Sequence, residues 1–330
     1  MKKPIYIFSD GELKRKDKTL YFEKESGKNY IPIENTSEIM IFGEVTLNKR
    51  LLEFLTQNEV IIHFFNHYGY YIGTYYPREH LNSGFVILKQ AEHYLNSEKR
   101  TNLAKKIVYG AVENIKKVLG YYNSRGKDLS RCIQEIDELQ AKLDEQSDIE
   151  QLMAIEGNIR EQYYKAFDII IEDEDFCFES RTKRPPQNRL NTLISFGNSM
   201  LYTTCLSEIY KTHLDPRIGF LHTTNFRRFS LNLDVAEIFK PIIVDRVIFS
   251  LLNKGMIKED NFENKMNGIV MNKKGMEIFV KEYDERLKTT IHHKGLGRNV
   301  SYKKLIRLEL YKIEKHIMGD EEYKPFVSGW

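Results

Sequence analysis

The spacing of apolar residues changes once along this chain, and that change restricts the available folds more than any other feature. Up to about residue 77 the apolar residues come in short runs, IYIFSD, TLYFEK, NYIPI, EIMIF, VIIHFF and YYIGTYY, divided by turn signals at Asp10-Gly11, Ser26-Gly27-Lys28-Asn29 and Tyr68-Gly69. Short runs rich in β-branched and aromatic residues between turn formers read as strands. One helical stretch, about Asn48 to Gln57, interrupts them. After Pro77 the period lengthens: Leu103, Ile107, Ala111, Ile115, Val118 and Tyr122 recur at steps of three or four, and Leu129, Ile133, Ile136 and Leu143 continue the pattern. That is the mark of amphipathic helices. Breaks follow at Arg184-Pro185-Pro186, Asp215-Pro216, Gly255, Gly268 and Gly295. The expectation is an α+β, two-domain protein: a small β-rich domain over residues 1–80 and a larger all-α domain over residues 81–330, linked near Tyr76 to Gly84.

Composition narrows the class. Hydrophobic residues make up 41% and charged residues 29% of 330 positions, which excludes disordered, collagenous and coiled-coil chains. No apolar run reaches the roughly 18 residues of a spanning helix, and the opening MKKPIYIFSDGEL meets Pro4 and Asp10 too early for a signal peptide, so the expected location is the cytoplasm. The three cysteines, Cys132, Cys177 and Cys205, are too few and too scattered for a disulfide framework or zinc ribbon. Cys177 and Cys205 read as core residues.

The net charge of +3 conceals segregation. Residues 85–127 hold nine basic and three acidic residues, residues 128–176 hold four and 15, and residues 177–330 hold 26 and 18. Basic blocks of this kind suit a phosphate-bearing partner, although a charge run is more often a solvated face.

Two segments carry candidate chemistry. On a helix from Ile149 to Ile171, with about 100° per residue, Ile149, Leu152, Met153, Ile159 and Tyr163 all fall within about 60° of Glu156. A carboxylate in the middle of an apolar arc must be paired, bind a metal or take up a proton. In Leu214 to Arg246, a polar loop with His222 precedes a helix that starts near Asn232. Asp234 and Glu237 share a face of its first turns, with Asp245 further along. Carboxylates with one imidazole and no thiolate suit a single Mn²⁺ or Mg²⁺. Arg181, Lys183, Arg184, Arg189, Arg217, Arg227 and Arg228 surround these segments in sequence, and cations beside a metal are what phosphodiester chemistry needs. His63 and His67 read as aromatic packing residues, and His292-His293 as a solvated loop or a phosphate contact. No Walker loop, dinucleotide fingerprint or nucleophile elbow occurs.

The stretches AIEGNIREQYY, RTKRPPQNRLNTLISFGNSMLY and LDPRIGFLHTTNFRRFSLNLDVAEIFKPIIVDR, in this order, resemble the CRISPR-associated endonuclease family that serves as the integrase of spacer acquisition. The tail, MNKKGMEIFVKEYDERL then SYKKLIRLELYKIEKHIMG, is similar too, so the resemblance runs nearly full length. It implies an N-terminal β-sandwich that dimerises, a helical catalytic domain, and insertion of short DNA fragments into a CRISPR array by 3′-hydroxyl attack on a phosphodiester. It also implies a homodimer that works with DNA (double-stranded, branched or with free 3′ ends) and with a small ferredoxin-like adaptation protein. It assigns the Mg²⁺ or Mn²⁺ ligands to Glu156, His222 and Glu237, where many members have aspartate in place of Glu237. Asp234 takes the neighbouring acidic position, which supports the site or meets the DNA end. Phosphate contacts fall to Arg181, Arg184, Arg189, Arg217, Arg227 and Arg228. The competing readings are a nucleic-acid-binding scaffold in which the same carboxylates only form ion pairs, and a hydrolase of small phosphate esters.

Overall fold

A computed structural model of the chain describes residues 2–78, 81, 83–223, 229–266 and 268–329. It divides into two compact units, one of Met1–His80 with Met271–Glu277, the other of Leu81–Val270 with Ile278–Trp330.

The first unit holds two four-stranded sheets. One has the order β1 (Lys3–Ile7), β5 (Thr36–Ile41), β7 (Ile61–Phe65), β8 (Tyr71–Tyr75); the other β4 (Gly27–Ile31), β3 (Thr19–Lys24), β2 (Gly11–Lys16), β6 (Val45–Thr46). β1, β5 and β7 run parallel in register Ile5↔Ile39↔Ile62, and β8 returns antiparallel. A parallel partner needs a crossover, and α1 (Lys49–Gln57) lies within the β5-to-β7 connection, capped by the Asn48 side chain. One core takes Ile7, Ile39, Ile41 and Ile62 from the first sheet, Leu13, Leu20 and Phe22 from the second, and Leu51, Phe54 and Leu55 from α1. The strand GELKRK is absent from the sequence-based reading. It has one deeply buried apolar side chain, Leu13, and is held by pairing with both β3 and β6. His63 is a core residue of β7 that hydrogen-bonds Thr74, whereas His67 lies past the strand end with its ring against Tyr68.

The second unit is built on α2 (Gly84–Leu95), α3 (Ser97–Asn123), α4 (Ser130–Gln140), α5 (Ile149–Ile171), α6 (Arg189–Ile209), α7 (Leu231–Phe239), α8 (Arg246–Asn253), most of α9 (Lys273–Lys288), and α10 (Tyr302–Met318). It is not all-α. β9 (Phe262–Lys265) pairs with β10 (Gly268–Met271), and β11 (Thr290–His293) pairs with β12 (Arg298–Ser301). Four-residue strands are too short to establish an alternation in sequence. The helix α6 is buried on nearly every side, its polar residues Asn191, Thr192, Thr203, Thr204 and Glu208 included, and lies next to α7 and α10. At Gly197 a Cβ would come 2.5 Å from Val244 Cγ1 and 2.8 Å from the Phe279 ring, so glycine permits the close approach there. The α5 boundaries match the expected Ile149 to Ile171, with Asp148 capping the Gln151 amide at 2.8 Å.

Between α7 and α8 the chain makes one π-turn, Pro241–Asp245, in which the Asp245 amide donates to Lys240 O at 3.0 Å. A π-turn holds one more residue than an α-turn and so rotates the residues after it about the helix axis. Asp245, its last residue, lies in the core at 1% exposure. Cys205 is buried as expected, but Cys177 is exposed. It sits between Phe176 and Phe178, which both point inward and turn the intervening side chain out. No helix among the described residues is long and apolar enough to cross a membrane.

Candidate active site

The apolar arc drawn around Glu156 is the buried face of α5: Leu152, Ile159, Tyr163, Phe167 and Ile170 are all buried. Glu156 lies on that face near its open end, with 21% of its side chain exposed. Ile155 and Ile159 flank it on the buried side, whereas Met153 points outward. Its partner is Arg160, one turn along the same helix, whose Nε donates to Glu156 Oε1 at 3.0 Å.

Arg160 also joins two helices. Its Nη2 donates to Glu237 Oε2 at 2.7 Å and to the Glu237 main-chain oxygen at 3.1 Å. The other carboxylate oxygen of Glu237 accepts from Lys240 Nζ, and that ammonium lies 5.1 Å from the centre of the Tyr202 ring. A buried charge needs such partners, because desolvation costs several kcal/mol per ion. Arg160 and Lys240 were not singled out from the sequence. The available signal was spacing, since each lies one helical turn after an acid it pairs with, Glu156 and Glu237 respectively.

Asp234 and Glu237, expected on one face, do different work. Asp234 is fully buried and grips the loop before its own helix. Oδ2 accepts the amides of Phe220 and Leu221, the latter at 3.0 Å, while Oδ1 accepts the His222 amide at 2.9 Å and the ring Nδ1–H at 2.8 Å. A carboxylate can only accept here, so the hydrogen is on Nδ1 and Nε2 is the nitrogen left for a ligand.

The ionisation of the cluster follows from burial and charge. Desolvation raises the Glu156 pKa, the Glu237 charge raises it further, and Arg160 pulls the other way, with a net upward shift. Burial alone would raise Glu237 too, but Lys240 and Arg160 outweigh it and hold this carboxyl well below the usual range. Glu237 is therefore the ionised member, and Glu156 takes a proton more readily. Burial lowers the His222 pKa, yet the Asp234 hydrogen bond and charge, helped by Glu237, give a net rise. Asp245 is pushed up to about 7, chiefly by burial and against the pull of Arg160.

The basic candidates separate. Arg181 is engaged by the protein, with Nη1 on Asn191 Oδ1 at 2.8 Å and Nη2 on Ser195 Oγ at 3.0 Å. Arg189 pairs with Asp175 and Glu259. Arg217 pairs with Asp215 through Nε at 2.9 Å and through Nη2, though 67% of its side chain is exposed. Arg184 is exposed. Arg227 and Arg228 lie outside the described residues. His292 is exposed on β11, and His293 Nδ1 accepts the Leu296 amide at 3.2 Å.

Among the described residues no three His, Cys, Asp and Glu side chains already stand as a metal nest. The donor chemistry nevertheless fits a hard divalent cation: two carboxylates that influence each other's ionisation, and an imidazole with Nδ1 fixed by a buried carboxylate.

Comparison with known proteins gives an independent result. The family model described as CRISPR associated protein Cas1 matches residues 5–285. A relative from Thermodesulfovibrio yellowstonii, named CRISPR-associated endonuclease Cas1 2, is 68% identical over 330 residues and the match covers 100% of both chains. The structure of a Cas1 protein from Thermotoga maritima superposes with a TM-score of 0.89 at 51% identity, covering 99% of this chain and 100% of that one. A casposase bound to integration product shares the fold at a TM-score of 0.89 and 20% identity, covering 100% of this chain and 94% of the other.

Proposed function

The chain belongs to the CRISPR associated protein Cas1 family, and from that premise we propose that it is a metal-dependent DNA endonuclease and integrase that inserts short DNA fragments as new spacers into a CRISPR array. The observation that carries the reading is the bridging of Glu156 on α5 and Glu237 on α7 by Arg160, beside a histidine whose Nδ1 is fixed by Asp234.

Glu156, Glu237 and the Nε2 atom of His222 would hold one Mg²⁺ or Mn²⁺. Such an ion, when bound, supplies Lewis acidity at the phosphorus and a more reactive oxygen nucleophile. The protein's part is electrostatic and positional. Arg160 and Lys240 keep Glu237 ionised in a buried site, and Asp234 sets the tautomer and direction of the His222 ring. Arg184, Arg189, Arg217, Arg227 and Arg228 would hold backbone phosphates, while Arg181 would act by holding the start of α6 through Asn191 and Ser195. In the joining direction the 3′-hydroxyl of an incoming end attacks a phosphodiester, and in hydrolysis water takes its place. The working form would be a homodimer paired through the β-rich unit and assembled with a small ferredoxin-like adaptation protein on cytoplasmic DNA.

The test is strand joining and cleavage of a supercoiled repeat-bearing plasmid, with and without the small partner, in Mn²⁺, Mg²⁺ or EDTA. Product in the metal arms that disappears in EDTA is expected. Folded protein that binds DNA but forms no product in any arm would favour the scaffold reading, for which the Glu156–Arg160 pair is the supporting observation.

Asp234→Asn should cost about 10- to 100-fold in metal affinity or activity, the usual range for a group that orients a ligating imidazole. Acid competes at His222 because the protonated ring cannot ligate, and its pKa lies above the ordinary value of about 6.5. The acid limb of the pH–rate profile should move to lower pH in Asp234→Asn, which removes the charge that raises the ring's pKa. An unmoved limb would detach His222 from the reaction.

A further inference from the structure

Glu237 carries two cations, one on each oxygen, and they are held very differently. Arg160 places Nη2 on Oε2 at 2.7 Å and on the main-chain oxygen at 3.1 Å, and its Nε on Glu156 at 3.0 Å. It thus has three acceptors on two helices. Lys240 has Glu237 Oε1 as its hydrogen-bond acceptor among the described residues and the Tyr202 ring nearby. Its side chain is a flexible stem with 9% exposure, rooted where α7 passes into the π-turn. A divalent ion ligated by that same oxygen would stand within a few ångströms of the ammonium, and like charges at that separation repel strongly in a buried site. One of the two cations must then give way, and Lys240 has fewer anchors.

We propose that Lys240 is a built-in competitor of the metal ion: its ammonium fills the ligand oxygen of Glu237 until a divalent cation displaces it. The inference rests on the reading that Glu156, His222 and Glu237 hold the metal. In the metal-free protein the lysine neutralises a buried carboxylate next to a second one and so preserves the site. On metal binding the ammonium leaves Oε1 and keeps its place over the Tyr202 ring, which it already faces. The metal affinity of the free protein is therefore set partly by what the ion must push aside.

The experiment is Mn²⁺ binding by calorimetry and by the electron-spin resonance signal of free Mn²⁺, for wild type, Lys240→Met, Lys240→Arg and Glu156→Ala. Lys240→Met should bind Mn²⁺ about tenfold more tightly, and Lys240→Arg, which keeps a cation, should bind no more tightly than wild type. Affinity unchanged or weakened in Lys240→Met, or tightened equally in both variants, would overturn the proposal. On the unmodified protein, the ¹⁵N resonance of the Lys240 side chain should shift as Mg²⁺ saturates, and a stationary resonance would overturn it whether or not the variants fold. Equal Mn²⁺ binding by wild type and Glu156→Ala would sink the metal reading itself. Binding lost in Glu156→Ala but not tightened in Lys240→Met would sink only the role of Lys240.

Discussion

Replacing Glu156 by alanine is expected to reduce strand joining and cleavage by more than about a hundredfold while the protein stays folded and still binds DNA. Loss of a ligand should exceed the 10- to 100-fold typical of a group that merely supports one. Stability should behave differently. Glu156 is the carboxyl whose ionisation the site opposes, through burial first and then through the charge of Glu237. Its removal forfeits the 3.0 Å hydrogen bond from Arg160 but relieves that repulsion, and Arg160 retains its two contacts with Glu237. The unfolding free energy should therefore stay within about 1 kcal/mol of wild type, or rise, as when a functional charge is deleted from a buried site. Urea titration of both proteins measures this. A loss of several kcal/mol would mean that Glu156 serves the fold and would return the scaffold reading to first place.

Arg160→Met should do the reverse and strike the fold first. Arg160 is 7% exposed, and its guanidinium is shared by a carboxylate on α5 and a carboxylate and carbonyl oxygen on α7. Methionine fills much of the same volume but leaves Glu237 with Lys240 alone and Glu156 with no cation at that distance. Breaking one side of a buried ionic pair typically costs about 3–5 kcal/mol, because the remaining charge is stranded out of water. A corresponding fall in the urea midpoint is expected, and a change below about 1 kcal/mol would show that the bridge does not hold α5 to α7.

Much of this was legible in the sequence because it rests on periodicity. The switch from short β runs to helical spacing falls near residue 80, where the first unit's main segment ends although residues 271–277 also belong to that unit, and the arc around Glu156 overlaps the buried face of α5, with Met153 outside it. What stayed hidden depends on contacts that period does not encode. GELKRK has the composition of a solvated segment and becomes a strand only because β3 and β6 lie on either side of it. Arg160 falls on the same arc as Glu156, yet a lone arginine on a helix reads as solvated until its partner on α7 is in view. Asp234 and Glu237 share a helical face by spacing, but the loop folded over the start of α7 claims one, and α5 claims the other.

The clasp formed by Asp234 also bears on how this loop can drift. Its oxygens take hold of main-chain amides at positions 220, 221 and 222, and every residue except proline supplies an amide. As far as the grip is concerned, Phe220 and Leu221 are interchangeable with other side chains of suitable bulk, and the constraint on them is packing alone. The exacting neighbour is Gly219, where a Cβ would stand 2.9 Å from Asp234 Oδ2 and from the Ser230 backbone. The position of the imidazole is thus inherited through one acid twelve residues downstream, one absent side chain and the Ser230 hydroxyl that accepts the Gly219 amide at 2.8 Å, so substitutions at Phe220 and Leu221 can accumulate without moving the ring.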